Sequence, residues 1–375
     1  MKKIVFLTGT RADYGKIKSL IAITQSSNDF DVHIFATGMH LNKLYGYTVT
    51  EIEKNGFKNI FKFKNHDSVK HMDRNLSNTI DGFSKYISKI NPDLVIVHGD
   101  RVEALAGAIV GSINNILVAH IEGGEVSGTI DEMIRHSVSK MSHIHLVSNN
   151  SAKKRLVQLG EEKKHIYNIG SPDLDLMKNE NLPNLDNVKE YYNIDFDKYS
   201  IAMFHPITTE YENVTNVIKQ FVDALIESKL NYILIYPNND LGTEEILNEY
   251  KRLNDNKNFK IFPSLRFEYF LKLLQNSDFI IGNSSAGIRE APYYNIPTID
   301  IGSRQNNRDK FDSIYNCSYS KKSILKHICL TLDNKITNKI SKSNFGDGNS
   351  NILFEKLLKT KRFWNTPRQK YFNEL

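Results

Sequence analysis

The sequence predicts an α/β protein made of two parallel-sheet domains with a cleft between them. Three observations carry this. Short β-branched runs alternate with helix-length amphipathic stretches; the rhythm breaks once in a polar stretch and then restarts; and 375 residues are about twice a usual domain length. The first series of strands is Lys3–Leu7, Asp31–Ala36, Asp93–Val97, Ile116–Ile121 and Ile144–Val147. Alternation of this kind builds a parallel sheet wrapped by helices. Ser171–Tyr199, with Pro172 and Pro183, is long for a connection and reads as the linker, with a short helix at Leu185–Tyr192. The second series follows as Ser200–Phe204, Tyr232–Tyr236, Phe259–Phe262, Asp278–Ile281 and Thr298–Ile301.

Composition narrows the function classes. Hydrophobic residues are 40% and charged residues 25%, ordinary for a globular chain. The longest small or apolar run, Ala104 to Gly111, is far short of the roughly 18 residues that span a bilayer, so no membrane segment is expected. Met1-Lys2-Lys3 resembles the start of a signal peptide, but Ile4 to Leu7 is too short for its apolar region and reads as a strand. Cys317 and Cys329 suit neither a disulfide framework nor a zinc site and are expected to be packing residues, as is the single Trp364; a cytoplasmic location fits. The net charge of +6 is dispersed among nearly as many acids, which argues against nucleic acid as a partner.

In open α/β sheets ligands bind beyond the carboxyl ends of the strands, and those positions are polar here. Thr8-Gly9-Thr10-Arg11-Ala12-Asp13-Tyr14-Gly15-Lys16 follows the first strand. It either holds a diphosphate or is a glycine turn with a surface Arg and Lys; it is not a Walker A loop, since five residues separate Gly9 from Gly15 and Ile17 stands where Ser or Thr would be. His98-Gly99-Asp100-Arg101 places a carboxylate beside a guanidinium, although Asp100 also suits a helix cap. His120-Ile121-Glu122-Gly123-Gly124-Glu125 brings another acid to the same edge, and Asp131 a third. Thr129 with Glu132 fits a capping box, and Asp131 with Arg135 an i, i+4 pair. Glu122 on a Gly-Gly turn has no such explanation, and glycines there signal close approach of backbone to a ligand. Asp100, Glu122 and Asp131 are therefore candidates for one cleft, for proton transfer or, less consistently with their spacing, for a divalent metal.

In the second domain Phe204-His205-Pro206 and Tyr236-Pro237-Asn238-Asn239-Asp240 end strands. Ile281 to Pro292 runs from a strand through Ser284 and Ser285 into a helix, whose free N–H groups and dipole favour phosphate, with Glu290 placed to accept ribose hydroxyls. Gly302 to Arg308 adds Arg304 and Arg308 as partners for anionic oxygens.

These motifs together resemble the hydrolysing UDP-N-acetylglucosamine 2-epimerases of sialic acid synthesis. The resemblance runs through TGTRADYGK at 8–16, TGMHL at 37–41, HGDR at 98–101, HIEGGEVSGTIDEMIRHSVSKMSHIHLV at 120–147 and GSPDLD at 170–175. It continues in FHPITTE at 204–210, YPNND at 236–240, PSLRFEYF at 263–270 and GNSSAGIREAP at 282–292. It implies a GT-B-like fold of two Rossmann-like domains, 1–180 and 190–353, with a C-terminal helix at about 354–375 packing back on the first. The implied reaction converts UDP-GlcNAc and water to UDP and N-acetylmannosamine through a 2-acetamidoglucal, with no metal or redox cofactor, in a homodimer or homotetramer. Asp100, Glu122 and Asp131 match the family's catalytic acids. Arg11, Lys16, Arg101, His205, Ser284, Ser285 and Arg304 are then expected to bind substrate, most of them at the diphosphate; Glu290 is expected at the ribose, and Asn238 and the backbone near Leu265 at the uracil. A related epimerase acting on UDP-2,4-diacetamido-2,4,6-trideoxy-glucose and a GT-B glycosyltransferase are the alternatives.

Overall fold

A computed structural model describes residues 1–65, 71–127, 129–178, 180, 182–306, 311–333 and 345–374. The chain divides into two compact units: Met1–Glu125, Asp131–Lys178 and Asn344–Leu375 form one, and Val126–Ile130 with Asn179–Ser343 the other.

The first unit holds seven strands: β1 (Lys2–Thr8), β2 (Phe30–Ala36), β3 (Asn59–Lys62), β4 (Leu94–His98), β5 (Leu117–Ile121), β6 (Ile144–Val147) and β7 (Ile166–Asn168). They pair in the order β3-β2-β1-β4-β5-β6-β7, every pair parallel. The second unit holds β8 (Ser200–Met203), β9 (Tyr232–Ile235), β10 (Phe259–Phe262), β11 (Ile280–Gly282), β12 (Thr298–Ile301) and β13 (Ile314–Cys317) in the order β10-β9-β8-β11-β12-β13, again all parallel. Central strands such as β4, whose five residues are all buried, are apolar almost throughout because helices cover both sheet faces. In each sheet the order reverses once, at β1/β4 and at β8/β11, and the strand ends flanking that reversal are where open α/β sheets bind ligands.

All ten expected strands form within a residue or two of their expected bounds. The three not expected, β3, β7 and β13, are all sheet edges, short and partly exposed, so no continuous apolar run marks them.

The start of the expected linker is packed instead. Ser171 and Asp173 are buried, and Asp175 accepts from Ser19 Oγ at 2.9 Å and from the Ser350 and Asn351 N–H groups at 2.8 and 2.9 Å, so the unit boundary falls at Lys178. The helix Leu185–Tyr191 forms as expected. The C-terminal helix does not run on to 375: it is two pieces, Ser350–Leu358 and Lys361–Trp364, and residues 365–374 are non-helical. Phe354, Leu358 and Phe363 enter the core of the first unit, and Trp364 stacks on Phe30 with centroids 6.3 Å apart. Cys317 is buried as expected, but Cys329 is exposed and is not a packing residue. Among the described residues no helix is long and apolar enough to cross a membrane.

At the far side of the first unit Glu161 is buried and accepts from His145 Nε2 at 2.9 Å, Lys140 Nζ at 2.8 Å and Lys370 Nζ at 2.6 Å. Burial pushes its carboxyl up, but the hydrogen bond from His145 and the lysine charges outweigh that and hold it at about 2, against an ordinary 4.5. A depressed carboxyl contributes stability that is present above its unfolded pKa and lost as pH falls through the folded one. Glu161→Gln should therefore cost about 3 kcal/mol at neutral pH, and the gap from wild type should close between pH 4.5 and 2. Denaturant titrations across that range measure it; a gap that persists in acid removes this assignment.

Candidate active site

Glu122 ends β5 in an unusual backbone state. Its φ is 64°, a left-handed conformation rare for a residue with a side chain, and such strain gathers at functional sites where surrounding contacts enforce it. Those contacts are present. The Glu122 N–H donates to the Leu146 carbonyl at 3.0 Å, its carbonyl accepts from Arg135 Nη1 at 3.0 Å, and its carboxylate accepts from Ser171 Oγ at 2.8 Å and lies 3.3 Å from His98 Nε2. Gly123 and Gly124 are also needed by the chain itself. A Cβ on Gly124, where φ is 78°, would lie 2.3 Å from the Ala152 carbonyl, and one on Gly123 2.9 Å from Ser139 Oγ. The close approach is to the chain's own helices.

Asp100, after β4, does not cap the following helix; Arg101 occupies the N-cap position of Val102–Ile113, without a side-chain cap bond. The Asp100 carboxylate is paired with Arg135 Nη2. Arg135 and Asp131 share the helix Ile130–Met141, one turn apart, and both are buried. The expected Asp131–Arg135 pairing thus understated Arg135, whose guanidinium joins the loops after β4 and β5. His120, fully buried, donates from Nε2 to the Gly99 carbonyl at 2.8 Å, which leaves Nδ1 to accept from Ser139 Oγ at 3.0 Å. Burial lowers its pKa to about 3, so it is a neutral strut rather than a charge.

After β1 the backbone N–H groups of Gly9 and Thr10 are turned onto the carboxylate of Asp13, at 3.0 and 3.2 Å, and Thr10 caps the helix Arg11–Ser26. The backbone there forms a self-capped glycine turn. Arg11 is paired with Glu51, and Lys16 Nζ lies 3.6 Å from Asp173.

In the second unit Asn283, fully buried at the end of β11, grips the loop after β8: its Oδ1 accepts from the His205 N–H at 2.6 Å and its Nδ2 donates to the His205 carbonyl at 2.8 Å. Its own carbonyl accepts from Arg304 Nη1 at 3.2 Å and Gln305 Nε2 at 2.7 Å. His205 Nδ1 accepts from the Asn238 N–H at 3.0 Å, so the neutral ring carries its proton on Nε2. His205, Asn238 and Arg304 are thereby gathered around one buried amide. Ser284 and Ser285 follow directly, and the helix expected after them is short. A 3₁₀ turn, Ser285–Gly287, precedes a four-residue helix, Glu290–Tyr293, so little helix dipole builds up there. Glu290 is buried in that short helix, and Leu265 is buried between β10 and the helix Phe267–Gln275. Arg308 lies outside the described residues. Among the described residues no group of three or more His, Cys, Asp and Glu is placed to hold a metal ion.

Acids at adjoining strand ends in the first unit suit acid–base chemistry, and the cationic and amide donors at strand ends in the second suit an anionic ligand. Residues 22–359 match the family described as UDP-N-acetylglucosamine 2-epimerase. The chain belongs to that family. A UDP-N-acetylglucosamine 2-epimerase of Neisseria meningitidis serogroup B is 47% identical across 100% of both chains. A hydrolysing UDP-N,N'-diacetylbacillosamine 2-epimerase of Legionella pneumophila is 35% identical over 96% of each. The crystal structure of the Methanocaldococcus jannaschii UDP-GlcNAc 2-epimerase with UDP-GlcNAc and UDP matches with a TM-score of 0.81 at 24% identity, over 96% of this chain and 99% of that one, which establishes the GT-B-like fold.

In this member of the epimerase family, sequence reasoning missed the bridging role of Arg135, the Ser171 bond to Glu122 and the Asn283 clamp. Only the last had a local signal, an Asn directly after a strand. Removing one side of a buried hydrogen bond costs about 1–3 kcal/mol, and Asn283 makes two. Asn283→Ala should therefore lower unfolding free energy by about 2–4 kcal/mol in denaturant titration; an unchanged midpoint would mean that the clamp carries no stability.

Proposed function

We propose that the chain is a hydrolysing UDP-GlcNAc 2-epimerase, releasing UDP and N-acetylmannosamine in a reaction that opens sialic acid synthesis. The observation that supports this is the pair of strand-end acids joined by Arg135, Asp100 through its carboxylate and Glu122 through its carbonyl, with Glu122 held in a left-handed backbone state and Asp131 one turn from Arg135 on the same helix. In the first step a carboxylate takes the C2 proton while the C1–O bond to UDP breaks, and a C1=C2 double bond forms. In the second, water oxygen bonds to C1 and gives up a proton to a carboxylate, while a carboxylic acid delivers a proton to C2 from the opposite face. Two faces need two carboxyl groups, and such proton transfer is worth about 100- to 10,000-fold per step.

Arg304, His205, Ser284 and Ser285, with Arg11 and Lys16 of the first unit, are assigned to the diphosphate, where donors stabilise the charge on departing UDP, and Arg101 is assigned to substrate binding. Glu290 is assigned to the ribose, and Asn238 and the Leu265 backbone to the uracil. The 47% identity to the Neisseria protein, against 35% to the diacetylbacillosamine enzyme, supports UDP-GlcNAc over the trideoxy sugar. The same reading includes a cytoplasmic location and a homodimer or homotetramer, the latter sized by light scattering.

Incubation with UDP-GlcNAc in heavy water should give mannosamine carrying deuterium at C2, and oxygen-18 water should label the C1 hydroxyl and not UDP. Retained protium would refute elimination, and turnover of the diacetamido sugar alone would move the substrate assignment. Asp100→Asn, Glu122→Gln and Asp131→Asn should each lower kcat by about 100-fold or more while UDP binding, followed by calorimetry, stays close to wild type.

A further inference from the structure

The Ile130–Met141 helix carries Asp131 and Arg135 at one end of the first unit, and its other end is held by the last residues of the chain. A helix leaves its final four carbonyls without intrahelical partners. Lys370 Nζ donates to the carbonyls of Lys140 at 2.9 Å and Ser142 at 2.7 Å, approaches that of Ser139 at 3.4 Å, and meets Glu161 at 2.6 Å. A cation at this terminus also complements the helix dipole. Two residues earlier, the Arg368 carbonyl accepts from His143 Nε2 at 2.9 Å, while His143 Nδ1 accepts from the Val118 N–H of β5 at 3.1 Å. The non-helical tail is therefore fastened to the helix terminus, to Glu161 and, through His143, to β5.

Between that anchor and the acids lies a short run of bonded groups. Ser139, in the last turn, meets His120, and His120 donates to the carbonyl of Gly99, the residue before Asp100. One turn back, Arg135 bonds Asp100 and the Glu122 carbonyl. If the last turn frays, Ser139 leaves His120 and Arg135 loses its fixed azimuth about the helix axis.

We propose that Lys370 is a positioning residue for the reaction, acting through the C-terminal turn of the Ile130–Met141 helix to fix Asp100, Glu122 and Asp131. This rests on the proposed reaction for its catalytic part. It needs no contact between the tail and substrate, and it makes a residue five positions from the chain end matter for turnover.

The test uses the full chain with Lys370→Met and Lys370→Arg. UDP release from UDP-GlcNAc is measured over a range of substrate concentrations, and amide hydrogen exchange of residues 138–142 is followed without substrate. Lys370→Met should lower kcat roughly tenfold, as a small misplacement of reacting groups does, with KM within about twofold and faster exchange at 138–142; Lys370→Arg should restore most of both. Unchanged kcat, or a loss of kcat without faster exchange, overturns the proposal. So does a KM that rises in step with the fall in kcat. Wild-type turnover decides the reaction itself, and exchange in the substrate-free protein decides the strap, so failure of one is distinguishable from failure of the other.

Discussion

One buried guanidinium organises the first unit's strand ends. Arg135, 4% exposed, spends one nitrogen on the Asp100 carboxylate and another on the Glu122 carbonyl, so the loops after β4 and β5 are fixed relative to each other by a planar group with little rotational freedom. Breaking a buried pair of this kind costs roughly 3–5 kcal/mol because a charge is left behind without its counterpart. Asp100 is partly accessible at its outer side, which moderates that figure and leaves the carboxylate open to chemistry.

The left-handed Glu122 backbone follows from the same constraint. A strained residue costs on the order of 1–3 kcal/mol, and here the bonds from Arg135 and Ser171 and to Leu146 oppose its relaxation. Gly123 and Gly124 then let the chain turn tightly past Ser139 and Ala152. In the proposed reaction a rigid carboxylate is what proton transfer at one carbon needs, since a wandering base loses the advantage of proximity. The second unit uses an uncharged counterpart: Asn283 joins two loops through an amide that can donate and accept at once.

What was legible in the sequence follows from range. Strands buried on two faces announce themselves as apolar runs, so β1, β4, β5, β8 and β12 were plain, and the acids at their ends were found by looking just beyond them. Edge strands β3, β7 and β13 have one neighbour each and carry mixed residues, so nothing local distinguishes them from loops. Arg135 was visible only to its i−4 neighbour; its partners lie 13 and 35 positions away and no spacing rule reaches that far. The helix expected after Ser285 forms, but it is short, a 3₁₀ turn at Ser285–Gly287 and then Glu290–Tyr293, and nothing in the local pattern announces that length.

The first unit is built from segments on both sides of the second, and this sets an order of events during synthesis. Phe354, Leu358 and Phe363 belong to its core, together with β1 from the opposite terminus. A ribosome that has released residues up to Ser343 has delivered every residue of the second unit, while the first still lacks part of its interior. Domains usually mature from the amino end forward; here the later-encoded half finishes first, and the earlier half waits, with apolar surface uncovered, for the closing segment to emerge.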